Sequence, residues 1–251
     1  MNDITIRRPI EWISCSATNV GTVRQENEDA ILEQPDIGLW VVADGMGGHE
    51  AGRLASQMIV ESLSEMQRPQ LMSEYVTEIE NRIMDVNQRL LEYSEIMLDG
   101  RLIGSTFVGF IIYEQVGLCM WMGDSRLYVC RGNELKQLSR DHSQVSELLQ
   151  SGAITESEAM NHPEANVITR AVGTSDELYI DMDVFNVQLG DVFLLCSDGL
   201  YNAVEEKTIE TNLSLKDPED MATHLMDVAL ENGAADNVSV IVIKGVRQEA
   251  H

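Results

Sequence analysis

Residues 40–52, "WVVADGMGGHEAG", join an apolar strand-like run to a helix through an acid and a group of glycines. The apolar run ends on Asp44, and three of the next four residues are glycine. Residues 54–66 then place apolar side chains at helical spacing. Aspartate is a poor strand former and costs free energy when it is buried without a partner. A carboxylate beside backbone that lacks side chains therefore predicts a place where the chain closely approaches a bound ion.

Acidic residues stand at four further boundaries of the predicted strands. The segment "NEDAIL" opens one strand, "WMGDSRLYV" holds a turn between two, "VFLLCSDGL" ends another, and "GAADNVSVIVI" opens the last. The acids concerned are Glu28, Asp29, Asp124, Asp198 and Asp236. One such boundary is an ordinary turn signal. Its repetition predicts that the acids meet at one edge of a sheet sandwich.

Clustered carboxylates repel one another unless cations neutralise them. The expected ligands are all oxygen atoms, and no Cys or His spacing accompanies them, which favours Mg²⁺ or Mn²⁺ over Zn²⁺. Two ions that share Asp44 could activate a water molecule and orient a phosphoryl group for in-line attack. The absence of a side chain at Gly45 would let its carbonyl serve as a further ligand.

Basic residues near this acidic set are few. Arg24, five residues before Asp29, is a candidate to hold a substrate phosphate through two parallel hydrogen bonds. An ordinary surface arginine explains it equally well. Arg126, two residues after Asp124, is interpreted as structural and paired with an acid inside the turn.

Short segments rich in Val, Ile, Leu and aromatic residues, bounded by Gly, Asp or Asn, predict eight strands. They cover residues 13–19, 30–34, 39–43, 107–113, 116–122, 126–131, 192–197 and 237–243. Helical spacing of apolar residues predicts helices over 54–66, over 75–91 and over 218–232. Two sets of strands beside long neighbouring helices indicate an α+β fold in which helices cover the sheets.

A polar insertion, "DHSQVSELLQSGAITESEAMNHPEANVITRAVG", interrupts the strand series. Its pattern predicts two short helices around Gly152, followed by an extended return. Such insertions are commonly surface decoration, but one that leaves from beside a site acts as a lid or docking flap. No linker divides the chain, so residues 1–251 are expected to form a single domain.

Composition excludes several classes of function. With 251 residues, 44% of them hydrophobic, the chain can bury a large core. Its net charge of -25 disfavours binding to nucleic acid and to anionic membranes. No apolar run is long enough to span a bilayer, and the first residues lack a secretory signal, so a cytoplasmic protein is expected. The four cysteines are predicted to be buried thiols, and no feature demands an oligomer, so a monomer is expected.

Seven motifs together resemble the 2C-type metal-dependent Ser/Thr protein phosphatases, in particular their compact single-domain bacterial members. They are "VRQENEDA", "VVADGMGGHEAG", "GSTFVGFII", "GDSRLYV", "SRDHS", "LLCSDGL" and "ADNVSVIVI", in family order from about residue 14 to 245. The resemblance implies a four-layer α-β-β-α sandwich, with two mostly antiparallel sheets flanked by helix pairs and with a flap over about 143–169. It also implies hydrolysis of phosphoserine and phosphothreonine in proteins by a metal-activated water at a centre of two Mn²⁺ or Mg²⁺ ions.

The resemblance also implies a role for each matching residue. Asp44, Asp198 and Asp236 would hold the first ion, and Asp44 with the Gly45 carbonyl would hold the second. Glu28 and Asp29 would act through metal-bound water, Asp124 would help to hold a weaker third ion, and Arg24 would grip the phosphate. Asn237 would lie just outside the ligands.

One position departs from the pattern of the animal members. They carry a histidine after Asp-Gly that is proposed as general acid, whereas this chain has Met46, as bacterial relatives do. His49, His142 and His162 are alternative proton donors, and a metal-bound water is another.

Three functions are consistent with these residues. The first is an active protein phosphatase that opposes a bacterial Ser/Thr kinase. The second is a catalytically silent phosphatase-like binding module, which loss of a metal-ligand aspartate would indicate, and none is lost. The third is a metal-dependent phosphoesterase of small molecules, which only substrate assays separate from the first.

Overall fold

The computed structural model describes residues 10–159, 162–164 and 167–248, in which the chain forms eleven strands and seven helices. The strands are β1 (Ile10–Asn19), β2 (Asp29–Gln34), β3 (Leu39–Met46), β4 (Gly104–Ser105), β5 (Phe107–Tyr113), β6 (Val116–Met122), β7 (Arg126–Arg131), β8 (Glu134–Gln137), β9 (Asp181–Asn186), β10 (Val192–Cys196) and β11 (Val238–Arg247). The helices are α1 (His49–Ser64), α2 (Met72–Met97), α3 (Gln144–Gln150), α4 (Glu156–Ala159), α5 (Asp198–Ala203), α6 (Glu206–Asn212) and α7 (Pro218–Glu231).

The strands form two sheets. One has the order β1-β11-β10-β7-β8 and the other the order β2-β3-β5-β6-β9, with β4 paired to β3. Every strand pairing in the described part of the chain is antiparallel. This confirms the predicted α+β sandwich.

Three apolar layers hold the sandwich together. Side chains of α1 and α2, such as Ile59 and Ile83, pack on the face of the second sheet that carries Val41. The opposite face of that sheet meets the first sheet through Phe110 and Phe193, whose ring centroids are 4.5 Å apart. Helix α7 covers the outer face of the first sheet, together with α5 and α6. The result is the four-layer α-β-β-α arrangement.

The apolar runs predict the central strands well and the exposed elements poorly. Strands β5, β6 and β7 have the predicted bounds, and α3 and α4 flank Gly152 as expected. Strands β4, β8 and β9 and helices α5 and α6 are additions, and α1 begins five residues before the expected start. Strands β8 and β9 are short and largely exposed, so they need no apolar run.

Two expectations about side chains and membranes can be compared with the structure. Cys119, Cys130 and Cys196 are buried free thiols, as predicted, whereas the free thiol of Cys15 is only partly buried. None of the helices within the described ranges is long and apolar enough to cross a bilayer.

Candidate active site

The structure brings the acidic strand boundaries to one edge of the sandwich. Asp29 begins β2 and lies directly opposite Asp44, near the end of β3. Asp198 begins α5 just after β10, and Asp236 lies two residues before β11. Asp124 occupies the turn between β6 and β7. The antiparallel registers therefore place these carboxyl groups around the same edge.

Burial and mutual repulsion raise the pKa values of four of these acids, Asp29, Asp44, Asp124 and Asp198. Burial raises the pKa of Asp44 well above its ordinary value, and the charges of Asp29 and Asp198 raise it further. Burial raises the pKa of Asp198 to about 8, with added repulsion from Asp124 and Asp236. The pKa values of Asp29 and Asp124 rise to about 6, chiefly through burial. The surrounding protein therefore disfavours the ionised form of these four carboxyl groups and supplies too little positive charge to stabilise it.

Two buried carboxylate oxygens in this cluster, Asp29 Oδ1 and Asp198 Oδ1, find no hydrogen-bond partner among the described residues. The second oxygen of each is held in place. Ser197 Oγ donates to Asp29 Oδ2 at 2.8 Å, and Asn202 Nδ2 donates to Asp198 Oδ2 at 3.1 Å. Buried polar atoms are nearly always satisfied. Open oxygens on fixed carboxylates therefore fit a hard cation that takes oxygen ligands.

Arg24 reaches the same cluster and pairs with Asp236. Its Nε donates to Asp236 Oδ1 at 2.9 Å and its Nη2 donates to Oδ2 at 2.7 Å. The Asn237 N–H also donates to Oδ1, at 2.9 Å, so both oxygens face donors. Within the described ranges, no group of three or more acidic, histidine or cysteine side chains could hold a metal ion as it stands. Asp236 is thus present at the site but is directed towards Arg24.

Close packing explains the glycine after Asp44. A β-carbon on Gly45 would lie 2.0 Å from the Gly52 carbonyl oxygen and 2.7 Å from that of Glu28. The Gly45 N–H also donates to the Glu28 carbonyl at 3.1 Å. The start of α1 and the loop before β2 therefore both press on this position. The sequence pattern attributes the glycine to the approach of an ion, whereas the structure shows contact with the protein's own backbone.

A family model described as Protein phosphatase 2C matches residues 19–238 of this chain. The chain belongs to the protein phosphatase 2C family. It is 37% identical over 235 residues to the serine/threonine phosphatase stp of Listeria welshimeri, covering 90% of this chain and 93% of that protein. The resemblance drawn from the seven motifs is confirmed.

Solved structures agree with this membership. The structure of PppA, described as a key regulatory component of T6SS in Pseudomonas aeruginosa, is 39% identical and superposes with a TM-score of 0.88, covering 95% of this chain and 100% of that one. The catalytic domain of the phosphatase PstP in complex with two manganese ions is 30% identical with a TM-score of 0.85, covering 94% and 99%. The chain is therefore a metal-dependent protein serine/threonine phosphatase of bacterial type.

Asn237 holds the loop that carries Arg24. Its Nδ2 donates to the carbonyls of Val20 at 2.9 Å and Glu26 at 3.0 Å, and its Oδ1 accepts from the Glu28 N–H at 2.8 Å. These three bonds fix the chain on both sides of Arg24. Asn237 thus supports the loop, and its place just outside the metal ligands stays a prediction.

Hydroxyl side chains that the motifs did not single out connect the acids. Thr106 Oγ1 accepts from the Asp44 N–H at 3.0 Å and shares a hydrogen bond with Ser125 Oγ at 2.7 Å. Ser197 Oγ accepts from the Ser239 N–H at 2.9 Å besides binding Asp29. The signal in the sequence is a serine directly beside two of the acids, in "GDS" and "CSDG".

Arg126 is structural, as predicted, but its partner lies outside the turn. It forms a forked ion pair with Asp141, the shortest contact being 2.6 Å, and its guanidinium lies 3.5 Å from the centre of the Tyr201 ring. The Tyr201 hydroxyl donates to the Asp124 carbonyl at 3.2 Å. Arg126 therefore supports the backbone at Asp124 through an aromatic neighbour.

The candidate proton donors have different surroundings. His142 is buried, and burial lowers its pKa, against the opposing effect of Asp181. His162 Nδ1 accepts from the Glu164 N–H at 3.2 Å within the flap. The side chain of His49 lies outside the described part of the structure. Met46 is partly buried in β3 and pairs with Gly104.

Proposed function

We propose that Asp44, Asp198 and Asp236 hold the first metal ion of this phosphatase and that Asp44, with the Gly45 carbonyl, holds the second. The observation that carries this assignment is the pair of buried oxygens, Asp29 Oδ1 and Asp198 Oδ1, in a cluster of repelling carboxylates. A cation is the simplest source of the missing charge. Asp236 would have to leave Arg24 in order to take part.

The remaining acids have supporting roles in this proposal. Bound Mn²⁺, or Mg²⁺ as a second candidate, supplies Lewis acidity that activates water and offsets charge on the phosphoryl oxygens. Glu28 and Asp29 would accept hydrogen bonds from water in the site and orient it for attack. Asp124, at the neighbouring turn, would hold a weaker third ion.

Arg24 is proposed to bind the substrate phosphate. Its side chain is 50% exposed, so a phosphate can reach it from solvent. A phosphate presents the same two-oxygen edge that Asp236 presents now. Moving the guanidinium from Asp236 to the phosphate would free that carboxylate and keep the arginine paired.

Membership of the family indicates phosphoproteins as the substrates. The signalling pathway is part of the proposal. We propose that this phosphatase opposes a cognate Ser/Thr kinase, acts as a cytoplasmic monomer, and uses its whole length as one domain with the flap beside the site. A catalytically silent module is not favoured, because the chain retains the five expected aspartates and they lie near one another. Activity towards small phosphoesters alone is the alternative that an assay must address.

The test measures phosphate release from a phosphothreonine peptide with Mn²⁺, with Mg²⁺, and with EDTA, beside a small aryl phosphate. Metal-dependent release from the peptide is the expected result. Cleavage of the aryl phosphate without the peptide would replace protein substrates by small molecules. No cleavage of either in the presence of metal would contradict the proposal.

A matched pair of variants links this activity to the site. Asp198→Asn removes one carboxylate whose oxygen is open, and Asp85→Asn makes the same chemical change on the exposed face of α2. Only the first is expected to abolish Mn²⁺ binding measured by calorimetry. Equal Mn²⁺ binding by both variants would exclude Asp198 as a ligand.

A further inference from the structure

The flap leaves the sandwich through a short antiparallel stem. Ser143 and Ile168 form an isolated antiparallel bridge, and the Thr169 N–H donates to the His142 carbonyl at 2.8 Å. His142 therefore stands at the base of the stem, where the flap joins the sheet. It is 6% exposed, although it lies in a polar segment between β8 and α3.

His142 forms hydrogen bonds with both the carbonyl and the N–H of Gly123, which lies in the turn that carries Asp124. Its main-chain N–H donates to the Gly123 carbonyl at 2.9 Å, and its ring Nδ1 accepts from the Gly123 N–H at 3.1 Å. Gly123 has φ +106°, and a β-carbon there would lie 2.7 Å from Thr106 Cβ. The turn is thus pressed against Thr106 on one side and hydrogen-bonded to His142 on the other.

The second ring nitrogen fixes the tautomer. The Gly123 N–H can only donate, so Nδ1 must be unprotonated and the neutral ring carries its proton on Nε2. Nε2 lies 3.1 Å from Asp181 Oδ2, and Arg170 Nη1 approaches the other oxygen of that carboxylate at 3.3 Å. The ring of His142 is also stacked against that of Trp121. These contacts leave the imidazole a single orientation.

Hydrogen bonds connect the turn of residues 123–125 to Asp44. Ser125 Oγ shares a 2.7 Å hydrogen bond with Thr106 Oγ1, which accepts from the Asp44 N–H at 3.0 Å. Asp124 lies between Gly123 and Ser125, so both of its neighbours in the chain are fixed. A displacement of Gly123 would therefore move the carboxylate of Asp124 relative to Asp44.

We propose that His142 is a positioning residue of this phosphatase, which uses its Nδ1 to fix the Asp124 turn and thereby links the site to the stem of the flap. The inference rests on the proposed role of Asp124 and Asp44 in holding metal. His142 touches neither the metal nor the substrate in this proposal, and it acts through Gly123.

Two substitutions distinguish the contribution of Nδ1 from that of Nε2 in the His142 ring. His142→Asn places an amide oxygen near the position of Nδ1 and can still accept from the Gly123 N–H. His142→Gln places its amide near the position of Nε2 and keeps the contact with Asp181 but loses the acceptor. Asp181→Asn, which retains an oxygen for Nε2–H, is the control on the other side of the ring.

The glutamine variant is expected to need about 10-fold more Mn²⁺ for half-maximal activity and for calorimetric binding, as groups that orient metal ligands do when removed. Its amide exchange at Gln144 and Thr169, in the stem, is expected to quicken. The asparagine variant and Asp181→Asn should stay close to wild type in all three measurements. Equal behaviour of the asparagine and glutamine variants would overturn the proposal.

Nitrogen NMR and a parallel assay of Asp198→Asn test the role of His142 and the metal site independently. If the glutamine variant fails to fold, nitrogen NMR of the wild-type imidazole decides, since a ring protonated on Nδ1 contradicts the inference. Asp198→Asn is assayed in parallel. If it retains Mn²⁺ binding, the proposed metal site has failed; if it loses binding while both His142 variants match wild type, only the role of His142 has failed.

Discussion

Asp191 and Asp198 are both aspartates beside β10, but their partners differ. Asp191 is 1% exposed, and Arg131 donates to both of its oxygens at 2.7 Å, with the Gln188 N–H adding a third donor at 2.7 Å. Asp198 has one buried oxygen with no partner in the described part of the chain, and the charges of Asp124 and Asp236 raise its pKa. The protein therefore neutralises a structural acid with its own arginine and leaves a site acid open to an exchangeable cation.

Asp236 lies between these two cases. Its partner Arg24 is 50% exposed and Asp236 itself is 37% exposed, in contrast with the deeply buried Asp191. An ion pair open to solvent contributes only about 0–1 kcal/mol to stability. Such a pair can exchange its partner for a phosphate or a metal ion at little cost, which the Asp191 pair cannot.

The largest loss of activity is expected when a site aspartate that is not paired with an arginine or lysine is replaced. Asp44→Asn or Asp198→Asn should lower kcat/KM for a phosphothreonine peptide at least about 100-fold, because removing one preorganised charge from a catalytic site has an effect of that size. The fold should be unchanged by circular dichroism. Asp85→Asn serves as the control, and full activity in either site variant would refute the metal assignment.

The same acids predict how stability depends on pH in EDTA. The pKa of Asp198 is raised from 3.8 to about 8 in the folded protein. A raised folded pKa gives stability that is complete below the ordinary pKa and is lost as the pH rises through the folded pKa. The Tm of wild type minus that of Asp198→Asn should therefore fall between about pH 4 and pH 8. A difference that rises over this range would contradict the unneutralised cluster.

Mn²⁺ should remove this dependence, because a bound cation keeps Asp198 ionised in the folded state at neutral pH. Thermal melts with and without Mn²⁺ at three pH values provide the measurement. If Mn²⁺ leaves the slope of wild type unchanged, the ion binds elsewhere.

A smaller loss is expected at the exchangeable pair. Arg24→Ala should reduce kcat/KM about 10- to 100-fold, because it removes the charge-assisted hydrogen bonds that the guanidinium would make to the phosphate. Arg24→Lys should recover only part of it, since an ammonium cannot make two parallel bonds. Mn²⁺ affinity should not fall in Arg24→Ala, because Asp236 loses a competitor. Weaker Mn²⁺ binding would instead make Arg24 a support for Asp236.

The sequence predicted the acidic edge because strand boundaries are local features that the ends of apolar runs mark clearly. Strands β5, β6 and β7 are almost entirely buried, so their apolar runs are continuous and their ends are sharp. The acids that follow such runs could therefore be placed at the edge from residue type alone. The antiparallel register then brings Asp29 opposite Asp44.

Contacts between distant segments could not be predicted in the same way. Arg126 is paired with Asp141, fifteen residues along the chain, and the partner of Asp29 is Ser197, 168 residues away. Such pairs depend on which strands become neighbours, which no local pattern specifies. The engagement of Arg24 with Asp236 is of the same kind, and the motifs could indicate only that an arginine stands near the acids.

A variant at the structural pair of Asp191 and Arg131 should affect stability and leave activity unchanged. Arg131→Ala should lower the free energy of unfolding by about 2 kcal/mol, because it leaves the buried carboxylate of Asp191 with one fewer charged donor. Denaturant melts measure this change, and kcat/KM should stay at the wild-type value. A loss of activity without loss of stability would mean that the two kinds of acid are not separable.

The smallest effect is expected at the residue that stands where animal members carry a proposed proton donor. Met46 lies between the glycines of the opening segment, and its side chain packs near Gly104 in the short strand beside β3. A thioether has no proton to donate, so Met46→Ala should change kcat/KM by less than about threefold, as substitutions outside the reacting groups commonly do. The pH profile should keep its shape, which a phosphopeptide assay from acid to alkaline pH would measure. A tenfold loss would show that Met46 shapes the site, and an altered acid limb would show that it controls the proton donor. If neither occurs, the glycine-rich segment contributes through Asp44 and its backbone, and the proton must come from another group.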